Sequence, residues 1–402
     1  MRLFFMKKNP LILWSIAFII FVSSCSEKTE VITQEEKNYE WVVIDSLDLN
    51  FLGNPMLSDV SKDGETLLFY DYTSKQILLV DKEGTINSSF SKEEDTPDSY
   101  GNLLERPGFF KSNQLTAFGR NGLFFYTLEG ELIKKIPHPE TLGATGSINH
   151  AGKSTETITL QGKEYILTKS VRTRNTFPGE QLFYDSYRAI ELVDPDSETM
   201  TEMIPFEEGS LFLNGKGYHP SDYTAAYEAY DGKLYFVHGG DPKLISYQIS
   251  PEEATLDTII QLDIPNFFSP EGKDRAEFQK GTVTIYGGTA AVRNIHVIDN
   301  LLLLDFYSGQ DPIKSEEAES LWAGGNEEEA RALYKKLEDD TPKGTILYSL
   351  PDLKYLGMVP PPENTGGRSY ASANGFAWFQ KLPDPDVEED FLRIYKMKLV
   401  EK

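Results

Sequence analysis

A single cysteine, Cys25, stands in the 402-residue chain, so neither an intramolecular disulfide nor a thiolate metal cluster is available to it. The sequence also lacks the motifs that announce common chemistries. It has no Gly-x-Ser-x-Gly elbow, no His-Glu-x-x-His pair, no P-loop and no dinucleotide fingerprint. Cations are scarce: 39 Lys and Arg face 63 Asp and Glu, a formal charge of −24. Such a surface repels phosphate backbones and anionic headgroups, which excludes nucleic acid as a partner. Helical periodicity is almost absent, which speaks against a parallel α/β fold.

Short apolar runs broken by tight turns are abundant. Between Asp59 and Phe90 lie Thr66-Leu-Leu-Phe-Tyr70, Gln76-Ile-Leu-Leu-Val80 and Thr85 to Phe90, with corners at Asp63-Gly64 and Glu83-Gly84. Glycine takes positive φ without a Cβ clash, so Asp-Gly and Glu-Gly pairs suit hairpin corners. A second unit, Pro107 to Ile136, reads as a four-strand meander turning at Asn113, Asn121-Gly122 and Glu129-Gly130. Looser copies follow over Ile148 to Phe206, Tyr218 to Ile264, Val283 to Val359 and Tyr370 to Val400. Their third strands begin near residues 75, 123, 187, 243, 343 and 391, and the spacing of about 48 occurs twice.

Repeats of four short strands read as propeller blades. The expected fold is therefore all-β: a six-bladed β-propeller over residues 40–402, with room for a seventh blade in the long interval before residue 343. A β-sandwich is the competing architecture, but one sandwich rarely needs over twenty strands. The sixth unit lacks an outer strand of its own, and Trp41 to Leu49 can supply it and close the ring. Ser315 to Glu338 is the exception to the β pattern. Ala330, Leu333, Tyr334 and Leu337 share a helical face, and Asn326 followed by Glu329 resembles a capping box. A helical hairpin is expected there, inserted in blade five, as a lid, a partner surface or simple rim packing.

The N-terminus carries an address. Arg2, Lys7 and Lys8 precede a 12-residue apolar run, Leu11 to Val22, too short to span a bilayer, which takes ~20 residues, but suited to an export signal. Val22-Ser23-Ser24-Cys25 resembles the bacterial lipoprotein box, in which the cysteine is lipidated and becomes the mature N-terminus. That resemblance implies a signal peptide over 1–24, a lipidated Cys25 with a flexible tether over 25–39, and an outer-membrane lipoprotein facing the periplasm or the cell surface.

Ser61-Lys62-Asp63-Gly64-Glu65-Thr66-Leu67-Leu68-Phe69 resembles the Ser-Pro-Asp-Gly-Lys-x-Leu-x-Phe blade signature of TolB-like propellers, with Lys62 in place of proline. With the lipoprotein box, the chain is similar to the uncharacterised six-bladed, TolB-like propeller lipoproteins of Gram-negative bacteria. The resemblance implies a fold and a location. It transfers no catalytic residue and no cofactor.

Propellers bind ligands where loops meet the central channel. Candidate ligand residues are His219 beside Tyr218 and Tyr223, Arg293 beside Asn294, and Arg368 and Tyr370 after Gly366-Gly367. Arg172 and Tyr187 mark a second loop that mixes basic and aromatic residues. Aromatic rings stack on sugars, and arginine pairs with carboxylates. Asp194-Pro-Asp196 and Asp384-Pro-Asp386 look friendly to calcium but lack the spaced third ligand of an EF-hand loop, so exposed turns are expected and no metal or cofactor is assigned. The expected function is a lipid-anchored module that binds an envelope protein, peptide or glycan. The competing one is a hydrolase or lyase at the channel mouth, whose mark would be His219, His238 or His296 converging with acidic groups.

Overall fold

The structure, a computed structural model, describes residues 37–92, 96–142, 153–384, 386–387 and 389–402. The signal peptide, Cys25 and most of the tether lie outside the described residues. The described residues form one compact unit.

Six antiparallel sheets of four strands make a six-bladed β-propeller. Blade 1 is Met56–Val60, Thr66–Asp71, Gln76–Asp81 and Ile86–Phe90. Blade 2 is Gly108–Phe110, Gln114–Gly119, Gly122–Thr127 and Leu132–Ile136. Blade 3 is Glu156–Leu160, Lys163–Lys169, Ile190–Asp194 and Thr199–Met203; blade 4 is Ala225–Tyr230, Lys233–His238, Lys243–Ile249 and Ala254–Gln261. Blade 5 is Ala291–Ile298, Leu301–Tyr307, Lys343–Ser349 and Lys354–Val359. Blade 6 takes Thr365–Ala373, Phe376–Lys381 and Leu392–Glu401 from the end of the chain, and its outer strand, Tyr39–Leu49, from the beginning. That pairing runs from Tyr39 opposite Glu401 to Leu49 opposite Leu392. The expected closure of the ring is therefore present.

The continuous apolar runs follow from burial on both faces of a blade. Leu67 and Phe69 pack with Trp378 and Ile394 of blade 6, while Leu68 and Tyr70, pointing the opposite way, pack with Phe124 and Tyr126 of blade 2. Side chains alternate faces along a strand, so a middle strand covered on both sides is apolar at every position. Blades 3 and 4, 4 and 5, and 5 and 6 share their cores in the same manner.

The Ser61–Gly64 corner is built as its residues dictate. Ser61 Oγ donates to Asp63 Oδ1 at 2.6 Å, Gly64 N–H donates to Ser61 O at 2.7 Å, and Gly64 sits at φ +76°.

Three expectations need correction. The fifth unit, expected to begin at Val283, begins later: Ala291–Ile298 is its first strand, and Val283, Ile285 and Tyr286 lie outside any strand and are exposed. The β-branched composition of Val283 to Tyr286 fits a strand, but composition alone does not supply a partner. The helical pair starts earlier than Ser315. It comprises Pro312–Ala323, capped by Asp311 Oδ1 accepting from Ile313 N–H at 3.0 Å, and Glu327–Asp340. Proline fits the first helical position because its missing N–H would have had no partner there. Asn326 does precede the second helix, but its side chain makes no capping bond. Ala330 and Leu337 are buried on the face expected. No seventh blade exists among the described residues, since the connection before blade 5 and this helical pair fill the long interval.

Strands alternate in direction, so connections after first and third strands lie at one end of the ring, and those after second and fourth strands at the other. The long segments 170–189, 204–224, 262–290 and 308–342 all belong to the second end. At the first end, the connections after the first strands are tight turns of two to five residues.

A candidate ligand site in the central channel

A cavity of about 270 Å³ opens at the short-turn end. Each innermost strand contributes a lining residue: Asp59 from blade 1, Phe109 from blade 2, Glu156 from blade 3, Glu228 from blade 4, His296 from blade 5 and Ser372 from blade 6. Lys62, Lys111 and Asn374 come from the adjoining turns, and Lys153 from the residues leading into blade 3.

Lys153 organises one wall. Its ammonium lies 2.9 Å from Glu156 Oε2 and 2.8 Å from Glu228 Oε2, and 4.9 Å from the centroid of the Tyr227 ring. Glu156 Oε1 also accepts the Ala229 backbone N–H at 2.6 Å. Burial, and then the neighbouring Glu228, push the Glu156 carboxyl up; Lys153 opposes them. Asp59, also on the lining, accepts the backbone N–H groups of Phe109 and Val60, each at 2.8 Å. Burial still outweighs these bonds and lifts Asp59 to about 6. Two carboxyls with raised pKa values beside one lysine give the cavity donors and acceptors of both charge signs.

Between blades 5 and 6 lies a second polar group. His296 Nε2 is 3.0 Å from Asp305 Oδ2 and is also bonded to the Tyr370 hydroxyl, which itself donates to Asp305 Oδ2. Thr345 Oγ1 donates to Asp305 Oδ1 at 2.7 Å. On the cavity side, His296 Nδ1 faces Ser372 Oγ at 3.5 Å. Behind the cavity, Glu105 is 3% exposed. Its Oε1 accepts from Lys169 N–H at 2.9 Å and from the Tyr227 hydroxyl at 3.4 Å. Burial raises it to about 7.

The candidates read from the sequence are not brought together. Tyr370 reaches the channel wall through His296. Arg172 is bound into the fold by Glu191 at 3.0 Å and Glu202 at 3.6 Å, and Tyr187 stacks on Phe206 at 4.0 Å. Arg293 lies 3.8 Å over the Tyr307 ring. His219, at the long-loop end, rests against Phe278 and Tyr286 at 4.8 and 5.0 Å, and burial lowers its pKa. Arg368 lies in the strand Thr365–Ala373, and its side chain is outside what is described. Asp194 and Asp196 both pair with Lys163 in a turn. Among the described residues no group of three His, Cys, Asp or Glu is placed to hold a metal, and no helix is long and apolar enough to cross a membrane.

Reading the sequence missed Asp59, Lys153, Glu156, Glu228 and Ser372. A signal existed. Charged residues interrupt the first strands, where the channel rather than a neighbouring blade faces the side chain.

No family model matches the chain, and no curated protein matches it. Solved structures do. A member of the DUF4221 family from Bacteroides vulgatus is similar at a TM-score of 0.63 and 12% identity, covering 92% of this chain and 100% of that one. A protein of Bacteroides fragilis described as exported is similar at a TM-score of 0.50 and 11% identity, covering 90% and 95%. At such identities the likeness shows the fold.

Proposed function

We propose that this protein is a cell-envelope propeller that holds the polar end of a glycan in its channel. The observation that carries the reading is the cavity to which all six blades contribute a residue, with Phe109 as an apolar face among Asp59, Glu156, Glu228, Lys62 and Lys153. Sugars are bound by that combination, a ring face against an aromatic and hydroxyls between charged donors and acceptors. At 270 Å³ the space is below the ~300–1,000 Å³ of sites for drug-sized ligands, which suits one sugar ring. The export signal and lipoprotein box, the TolB-like turn at Ser61–Gly64 and the exported neighbour from Bacteroides fragilis support an envelope location. On this reading Cys25 carries the lipid anchor.

Titration calorimetry against a panel of neutral, amino and uronic sugars tests the ligand, with short peptides as the contrasting set. Saturable sugar binding lost in Phe109→Ala and Glu228→Ala supports the reading, and binding confined to peptides overturns it. Fractionation tests the anchor: Cys25→Ser moves the protein from membranes to the soluble fraction if the cysteine is lipidated.

A further inference from the structure

We propose that Ser372, His296 and Asp305 form an acyl-transfer relay that hydrolyses a carboxylic ester held in the channel cavity. The relay is independent of the sugar reading. It rests on the arrangement between blades 5 and 6, where one imidazole joins a half-buried carboxylate to a serine on the cavity wall.

The hydrogen bonds set the imidazole's tautomer. Asp305 accepts the Tyr370 hydroxyl proton and the Thr345 hydroxyl proton, so it is already held as an acceptor. Nε2 lies 3.0 Å from the same carboxylate and bonds best there as N–H. Nδ1 is then the unprotonated nitrogen. It faces Ser372 Oγ, a hydroxyl with a proton to give, at 3.5 Å. Asp305 and Tyr370 are thus positioning residues, and His296 and Ser372 are the catalytic pair. The order acid, imidazole, serine is that of a nucleophilic relay, with the two ring nitrogens exchanging their usual roles.

Accessibility separates this group from an ordinary structural network. His296 is 3% exposed, and its ring is fixed on the Nε2 side. Both it and Ser372 nevertheless line the cavity. Ser372 is half-buried near the end of its strand, two residues before Asn374. Lys62 and Asn374 line the same cavity and offer N–H donors for an oxygen that gains negative charge.

The chemistry balances without a co-reactant other than water. Ser372 Oγ attacks the ester carbonyl carbon as its proton passes to His296 Nδ1. The carbon–oxygen bond to the alcohol breaks, and the alcohol leaves with that proton. Water then attacks the acyl-serine, giving a proton to Nδ1 that returns to Ser372 Oγ as the carboxylic acid is released. The substrate class is a carboxylic ester of a polar alcohol, which suits the charged lining of Asp59, Glu156, Glu228 and Lys153.

The test uses the purified protein with 4-nitrophenyl acetate and with a small fluorophosphonate, the adduct being located by peptide mass spectrometry. The expected result is turnover together with a single adduct on Ser372. Ser372→Ala loses both while its melting curve is unchanged, and His296→Gln lowers turnover by ~100-fold or more. Asp305→Asn lowers kcat and leaves KM in place, as a positioning residue should. Labelling of the wild type needs no variant to fold. An unlabelled Ser372, or a folded Ser372→Ala with wild-type turnover, overturns the proposal. Sugar titration of the wild type separates the two readings: Ser372 labelled in a protein that binds no sugar leaves the relay standing alone, and sugar bound with Ser372 unlabelled leaves only the binding reading.

Discussion

Asp48, near the start of the described chain, and Arg393, near its end, form a two-pronged ion pair: Nε to Oδ1 at 2.7 Å and Nη2 to Oδ2 at 2.8 Å. The pair sits on the seam where the first strand completes blade 6. Both side chains are about a third or more exposed, at 40% and 33%, so solvent screens their attraction. The seam itself matters more. Lys37 N–H continues it to Leu356 O of blade 5 at 3.0 Å, and Leu49 is fully buried against blade 1.

Asp48→Ala is therefore expected to cost below ~1 kcal/mol, as exposed pairs do. Removing residues 1–50 is expected to abolish the single cooperative unfolding transition, because it bares a whole strand edge and part of the blade 1 core. Urea denaturation followed by tryptophan fluorescence and circular dichroism checks both. A deletion variant that unfolds like the wild type would refute the seam's role.

Lys153 stands between two carboxylates, and its removal leaves them facing each other. Lys153→Met is expected to destabilise the protein by up to ~3 kcal/mol, toward the range for breaking a buried pair. Adding Glu156→Gln and Glu228→Gln to it should recover most of that loss, since the uncompensated charge is then gone. Urea midpoints of the single and triple variants decide the matter. Equal loss in both would mean that packing, and not charge, governs the site.

Glu105 predicts the sign of a pH dependence. Its folded pKa, about 7, lies above the ordinary carboxylate value, so between pH ~4.5 and ~7 the folded state binds more protons than the unfolded one. Stability from this group is then lost as pH rises through that window. Glu105→Gln removes this titration, so its stability relative to wild type should rise by up to ~3 kcal/mol from pH 4.5 to 7.5. Parallel slopes for both proteins would count against a buried, protonated Glu105.

Gly64 combines positive φ with a neighbour. At φ +76°, a Cβ there would lie 3.3 Å from Trp378 of blade 6. Gly64→Ala is expected to cost ~1–2 kcal/mol, from the left-handed backbone penalty of a non-glycine residue, and to lower the melting temperature. Gly232 has a similar φ of +75° with open space around it, so Gly232→Ala separates backbone strain from the Trp378 contact.

The blades are written in consecutive residues. Thr66-Leu-Leu-Phe-Tyr70 is apolar at every position because each face meets a neighbour, and Asp63-Gly64 marks its corner because only glycine turns there without strain. The helical pair was legible for the same reason, through the 3.6-residue spacing of Ala330, Leu333, Tyr334 and Leu337. Those are local regularities, written into consecutive residues. The site arises from closure of the ring. Asp59 and Ser372 are 313 positions apart and share a cavity because a closed ring brings every first strand to one axis. Tyr370 was singled out, but its partners His296 and Asp305 lie on two adjacent strands of another blade. Val283 to Tyr286 shows the opposite case, a strand-like stretch that pairs with no strand among the described residues. Local pattern selects which strands form; the closure of the ring, a single global constraint, selects which side chains meet.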